Sequence, residues 1–371
     1  MSQKATNDNR MLWIRNLESL EADGEIGYVY EYEFLSEVYI TGVLDYQNGA
    51  IRCGLLETEK DKNGLFRYLV SIQHSKLKEP SYNKNADGKG YYFKRGIIGE
   101  IIAMMSVFFQ ARFYLDAQYS GQLTASGLRM RQSHNFLYIP PVKEFYPRIF
   151  SKNKKRNFVN FKPFLELIRD IDVKNHFSLI TAFYHYERAL KEIAIDTEML
   201  FIRLVSSVEV LAKKEDLPIS NPLDQEDFDS LFNEADLKIE QKKQLESVLH
   251  VSKDGFINIY KSKQCFIEFV NKYSIGCLRG GNWKNKKLKI FRKDIPYILK
   301  NIYDARSGYL HRGESMHMKF QYAGFSKWDL DPSQGMIIDN RKFKKKYQLP
   351  DPDWFQNIVR YSIIGFVETL K

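Results

Sequence analysis

Apolar and polar positions along the 371-residue chain change period part-way through, and the change divides it in two. Up to about residue 75 the pattern favours strands. Residues 28–34 alternate in part, and residues 38–44 are rich in β-branched side chains. Asn48-Gly49 separates a run ending at Asp45-Tyr46 from the run 51–56. That dipeptide suits a two-residue type I′ hairpin, because both positions need positive φ. A further strand is expected over 66–72. Residues 75–95 are polar and loop-like. From 97 to 117, Ile97, Ile98, Ile101, Ile102, Met105, Phe108 and Phe109 recur at helical spacing and predict one long helix with a core-facing stripe. Residues 135–141 are read as a short strand.

The polar, basic stretch SKNKKRN at 151–157 is read as a linker. Beyond it the pattern is helical: a short helix at 164–171, long amphipathic helices at 176–195 and 197–214, and further helices at 239–250 and 264–273. Another helix spans 294–312, with Asp294 as N-cap, Pro296 in the first turn and Gly313 as the C′ residue. Short strands are expected near 336–338. A last helix covers 353–370. The fold class expected is α+β overall. A small mixed domain at 1–150, with antiparallel strands and one long helix, precedes an all-helical domain at 157–371.

Composition narrows the picture. An apolar fraction of 44% and an aromatic fraction of 14% mark a folded chain. The most apolar run, 101–109, is far below the ~18–20 residues that span a bilayer, and the polar N-terminus has no signal-peptide core. The expectation is a cytoplasmic protein with no membrane partner. Cys53, Cys265 and Cys277 have neither zinc-ligand nor disulfide-framework spacing, so no metal is expected.

Charge is concentrated within the net +10. Residues 143–156 hold six cations and one acid, 284–293 six cations and no acid, and 341–346 five cations and no acid. The rest of the chain is net negative. Such clusters suit a polyanion, and equally suit solvated loops. Phosphate-cradling, dinucleotide-binding, zinc-protease and nucleophile-elbow motifs are absent from the sequence.

Two positions break otherwise apolar stripes. On the 294–312 helix, Arg306 lies where Ile295, Leu299, Ile302 and Tyr309 demand an apolar residue. On the 197–214 helix, Glu209 interrupts the stripe of Ile202, Val205 and Ala212. A buried charge is costly unless paired, so Glu209 needs a cation, either Arg306 or Arg203. His311 lies about 140° around the helix from Arg306, on a face with Asp304, Ser307 and Gly308. Gly308 costs about 1 kcal/mol in a helix interior relative to Ala, which fits either a close approach there or fraying.

The stretch Ile302-Tyr303-Asp304-Ala305-Arg306-Ser307-Gly308-Tyr309-Leu310-His311-Arg312-Gly313 resembles the signature helix of the HEPN superfamily, in its Apea-like branch. The paired helices around 176–213 and the closing segment from Leu349-Pro350-Asp351-Pro352 resemble the same family, over roughly 160–371. The resemblance implies a cytoplasmic HEPN-like domain that homodimerises through the Arg306–His311 helix and cleaves RNA without cofactor or metal, in antiphage defence or growth arrest. It implies that His311 handles protons, Arg306 stabilises phosphate charge and Ser307 orients either group. Glu209 and Asp304 are candidates to support them, Asp304 by setting the His311 tautomer; the alternatives are a purely structural ion pair at Glu209 and an ordinary exposed acid at Asp304. Lys284, Lys286, Lys287, Lys289 and Arg312 would line the RNA path, with Trp283 or Tyr309 as candidate stacking faces; core packing is the alternative, and favoured, role for Tyr309. The alternative is a non-catalytic HEPN-like module that binds nucleic acid or protein.

Overall fold

The computed structural model describes residues 10–23, 25–61, 64–76, 96–121, 130–133, 156–193, 195–215, 217, 253–274, 295–316, 337–338, 341–342, 349–350 and 352–370. The fold is α+β: an N-terminal antiparallel sheet with two helices, then a helical bundle.

The sheet comprises β1 (Ile26–Ser36), β3 (Val43–Tyr46), β4 (Ile51–Glu57), β5 (Phe66–Ser75), β6 (Tyr114–Gly121) and β7 (Met130–Ser133), in the order β3-β4-β5-β1-β6-β7. Every neighbouring pair is antiparallel. The β3–β4 hairpin turns where Asn48-Gly49 places it. These residues have φ of 53° and 92°, and the Ala50 N–H reaches the Gln47 carbonyl at 3.1 Å. Strand β2 (Ile40–Thr41) pairs in parallel with β8 (Arg156–Asn157), so the end of the expected linker is sheet. Strands β9 (Ile337–Ile338) and β10 (Arg341–Lys342) form a small antiparallel pair near the expected position. The strand expected at 135–141 and the helix expected at 239–250 lie outside the described residues.

Helix α1 (Leu12–Asp23), not foreseen from the pattern, lies on β5, burying Trp13, Ile14 and Leu17. Asn16 docks it. Its Nδ2 donates to the Gln73 carbonyl at 2.8 Å, and its Oδ1 accepts from the Ser75 N–H at 3.0 Å. Asn16→Ala is expected to cost about 1–2 kcal/mol, because both β5 groups lose a partner; urea denaturation measures it. Helix α2 (Gly96–Phe109) is shorter than the expected 97–117. Gln110 turns the chain with φ of 53°, and β6 begins at Tyr114. The stop is imposed from afar: Arg360 donates to the Val107 and Phe108 carbonyls, both at 2.6 Å. An arginine on orphan carbonyls satisfies them and complements the helix dipole.

A 3-10 turn (Phe158–Phe161) leads into α3 (Lys162–Arg169), α4 (Val173–Glu192) and α5 (Thr197–Ala212). Asp172 and Asp196 cap α4 and α5, accepting from Lys174 N–H and Met199 N–H at 3.0 Å each. Helices α6 (Lys253–Tyr273), α7 (Ile295–Arg312) and α8 (Pro352–Thr369) complete the bundle. Helix α5 packs against α4, α6, α7 and α8. Gln356 on α8 takes a 2.7 Å bond from the buried Tyr186 hydroxyl on α4.

One buried cluster runs from Met11 to Val367 through both halves. The Met11 N–H reaches His176 Nδ1 on α4 at 3.4 Å, and Gln110 bonds Asn357 on α8 at 2.7 Å. Among the described residues no helix is long and apolar enough to cross a membrane.

Candidate functional site

Helix α7 buries Ile295, Leu299, Ile302, Tyr303 and Ala305 against α5 and α6. That face carries Arg306 to the edge of the core. Its Nη2 donates to Glu209 Oε2 on α5 at 3.0 Å, and the two side chains are only 18% and 12% exposed. Of the two cations available to Glu209, the structure selects Arg306. Arg203 turns to Glu192, at 3.6 Å.

A third group, missed from the sequence, closes this cluster. The Tyr303 hydroxyl donates to the other carboxylate oxygen, Glu209 Oε1, at 2.8 Å. The Arg306 guanidinium lies 5.6 Å from the Tyr303 ring centroid, within cation–π range. Burial, and the nearby Glu209 carboxylate, push the Tyr303 hydroxyl well above the usual phenol range; the Ser262 hydroxyl on α6 pulls the other way. Tyr303 therefore stays protonated and keeps donating. Arg306 Nε is buried and has no hydrogen-bond partner.

The remaining candidates lie on other faces. His311 is exposed near the C-terminal end of α7 and, among the described residues, has no hydrogen-bond or ion-pair partner. No contact joins it to Arg306, which lies about 140° around the helix and is held by Glu209. Ser307 is half-buried between them. Asp304 does not reach His311; its carboxylate is taken by Lys263 of α6 at 2.6 Å. Arg312 is paired with Glu314 at 2.5 Å. That pair lies over Gly308, where an added Cβ would be 2.6 Å from Glu314 Oε2 and 3.1 Å from Arg312 Nη2. The atoms nearest Gly308 are thus side chains of the chain's own helix end, not another backbone.

Gly313, at φ of 66°, ends the helix as expected: its N–H returns to the Tyr309 carbonyl at 3.1 Å. Ser315 then bonds Glu198 at 2.7 Å, anchoring the exit to the start of α5. Tyr309 is half-buried and packs against the core. Trp283, Lys284, Lys286, Lys287 and Lys289 lie outside the described residues.

Among the described residues no group of three or more His, Cys, Asp or Glu is arranged to hold a metal ion. Cys53 is buried, which raises its thiol well above the usual range, and Cys265 is half-buried. No family model, curated protein or solved structure matches the chain.

Proposed function

We propose that the chain is a metal-independent endoribonuclease of HEPN type, acting as a homodimer through α7. The observation that carries this reading is the state of Arg306. It is a cation on a core-facing stripe, held by Glu209 through Nη2, with Nε left without a partner. An arginine placed this way can stabilise charge on a phosphate by charge-assisted hydrogen bonds. His311, exposed on the same helix, is accessible for proton transfer with a ribose 2′-hydroxyl attacking the adjacent phosphate. Because the two side chains of one chain face apart, the composite site needs a second copy, with His311 of one α7 brought to Arg306 of the other. Ser307 sits where it can orient either group, and the lysines at 284–289 supply the RNA path. Antiphage defence or growth arrest in a prokaryotic cytoplasm belongs to the same proposal.

One observation favours a second reading, a non-catalytic HEPN-like module binding nucleic acid or protein. The Arg306–Glu209 pair is by itself a sufficient structural reason for an arginine at that position. RNA cleavage in the presence of EDTA separates the two. Cleavage that survives chelation and disappears in Arg306→Ala supports the nuclease. Binding without cleavage supports the module. Cleavage abolished by EDTA, or unchanged in Arg306→Ala, overturns the proposal.

A further inference from the structure

A carboxylate beside a guanidinium ordinarily closes a two-bond fork with it. Glu209 does not do so here. Its Oε2 takes Arg306 Nη2 at 3.0 Å, while its Oε1 is taken by the Tyr303 hydroxyl at 2.8 Å. The fork's second donor, Arg306 Nε, is left buried and without a partner. Tyr303 and Arg306 are three residues apart on one helix, so the same turn that presents the arginine presents its competitor for the acid.

We propose that Tyr303 is a positioning residue that acts through Glu209, holding Arg306 to the acid by one bond in place of two so that the guanidinium can turn toward an RNA backbone phosphate. This rests on the reading of Arg306 as a phosphate-binding group. The hydroxyl stabilises one carboxylate orientation by its bond to Oε1. Loss of the hydroxyl frees Oε1 to take Nε. A closed fork then holds the guanidinium by two charge-assisted bonds in place of one and offsets more of its charge, which weakens its grip on an external anion.

Opposite signs from two substitutions test this. Arg306 Nε–Hε is followed by NMR of full-length protein labelled in arginine, its resonance assigned by its absence in Arg306→Lys. The probes are inorganic phosphate and a 2′-O-methyl RNA oligonucleotide that cannot be cleaved. In the wild type both probes are expected to shift this resonance, the oligonucleotide at lower concentration if backbone phosphate is the ligand; a response to inorganic phosphate alone overturns the RNA assignment. Tyr303→Phe should weaken binding about tenfold or more while its melting temperature stays level or rises, because the new bond from Arg306 Nε replaces the one lost from Tyr303 and satisfies a buried donor. Glu209→Gln cannot close an ionic fork and should bind at least as tightly as the wild type; it remains informative if Tyr303→Phe fails to fold. Wild-type affinity in Tyr303→Phe, a fall in its melting temperature parallel to lost binding, weaker binding in Glu209→Gln, or an Arg306 resonance that ignores both probes overturns the inference. Cleavage of unmodified RNA is scored separately. No cleavage with the expected binding pattern sinks the nuclease reading and leaves the inference standing, and the converse pattern does the reverse.

Discussion

His311→Ala is expected to lower RNA cleavage by about 10²–10⁴-fold, the range associated with loss of a general acid–base group, with the melting temperature unchanged. Structurally, the imidazole is exposed and, among the described residues, has no hydrogen-bond or ion-pair partner to lose. Arg306→Ala differs in kind. It leaves Glu209 as a largely buried acid without its cation, so activity and stability should fall together. Cleavage rates and thermal melts on the same preparations distinguish these outcomes. A composite site makes a further demand: mixing inactive Arg306→Ala and His311→Ala chains should restore part of the activity, because a mixed dimer retains one intact Arg–His pair. Undiminished cleavage by His311→Ala would remove the histidine from the mechanism.

Stability should peak near pH 6.5 as a result of three buried groups. Burial lowers His74 and His185 to about 4, with Arg203 adding to the effect at His185. Burial raises Glu100 to about 8, against backbone N–H groups of Leu12 and Trp13 that favour its carboxylate. For the histidines the unfolded chain binds protons more strongly. Their stabilisation is present above 6.5 and is lost as pH falls toward 4, at most about 3 kcal/mol each. For Glu100 the folded chain binds its proton more strongly. That contribution is complete below 4.5 and is lost as pH rises through 8, at about 1.4 kcal/mol per unit. Below pH 6.5 the loss from two histidines exceeds the gain from one glutamate, and above it only the glutamate term acts. Urea midpoints from pH 4.5 to 8.5 trace this curve. Glu100→Gln keeps an oxygen for the Trp13 N–H, which the carboxyl accepts at 3.0 Å, and should flatten the alkaline limb. A flat profile, or an alkaline slope that survives Glu100→Gln, contradicts the assignment.

Much of this was legible in the sequence wherever a local rule governs. The Asn48-Gly49 hairpin, the Asp172–Asp196 region of paired helices and the Gly313 stop all depend on residues adjacent in the chain. Arg306 and Glu209 were legible for another reason: each interrupts an apolar stripe, and two buried opposite charges find each other. The end of α2 was not. Nothing near residue 110 announces it, because the arginine that satisfies the last carbonyls comes from position 360. Helix α1 hid in a short stretch flanked by polar residues, and its order comes from Asn16 and Glu100 contacts across the fold. The role of Tyr303 was equally hidden, since an aromatic on an apolar stripe looks like packing until its hydroxyl is seen on Glu209.

Arg360 grips the end of α2 from the last helix, while the Met11 N–H rests on His176 from the first residues. The N-terminal half and the bundle are thereby joined at Met11 and again at Arg360. Helix α2 packs on α4 and is held by Arg360 of α8, and α8 packs on the same α5 that carries Glu209. Two helices, α8 and α5, are all that separates the end of α2 from the acid that holds Arg306.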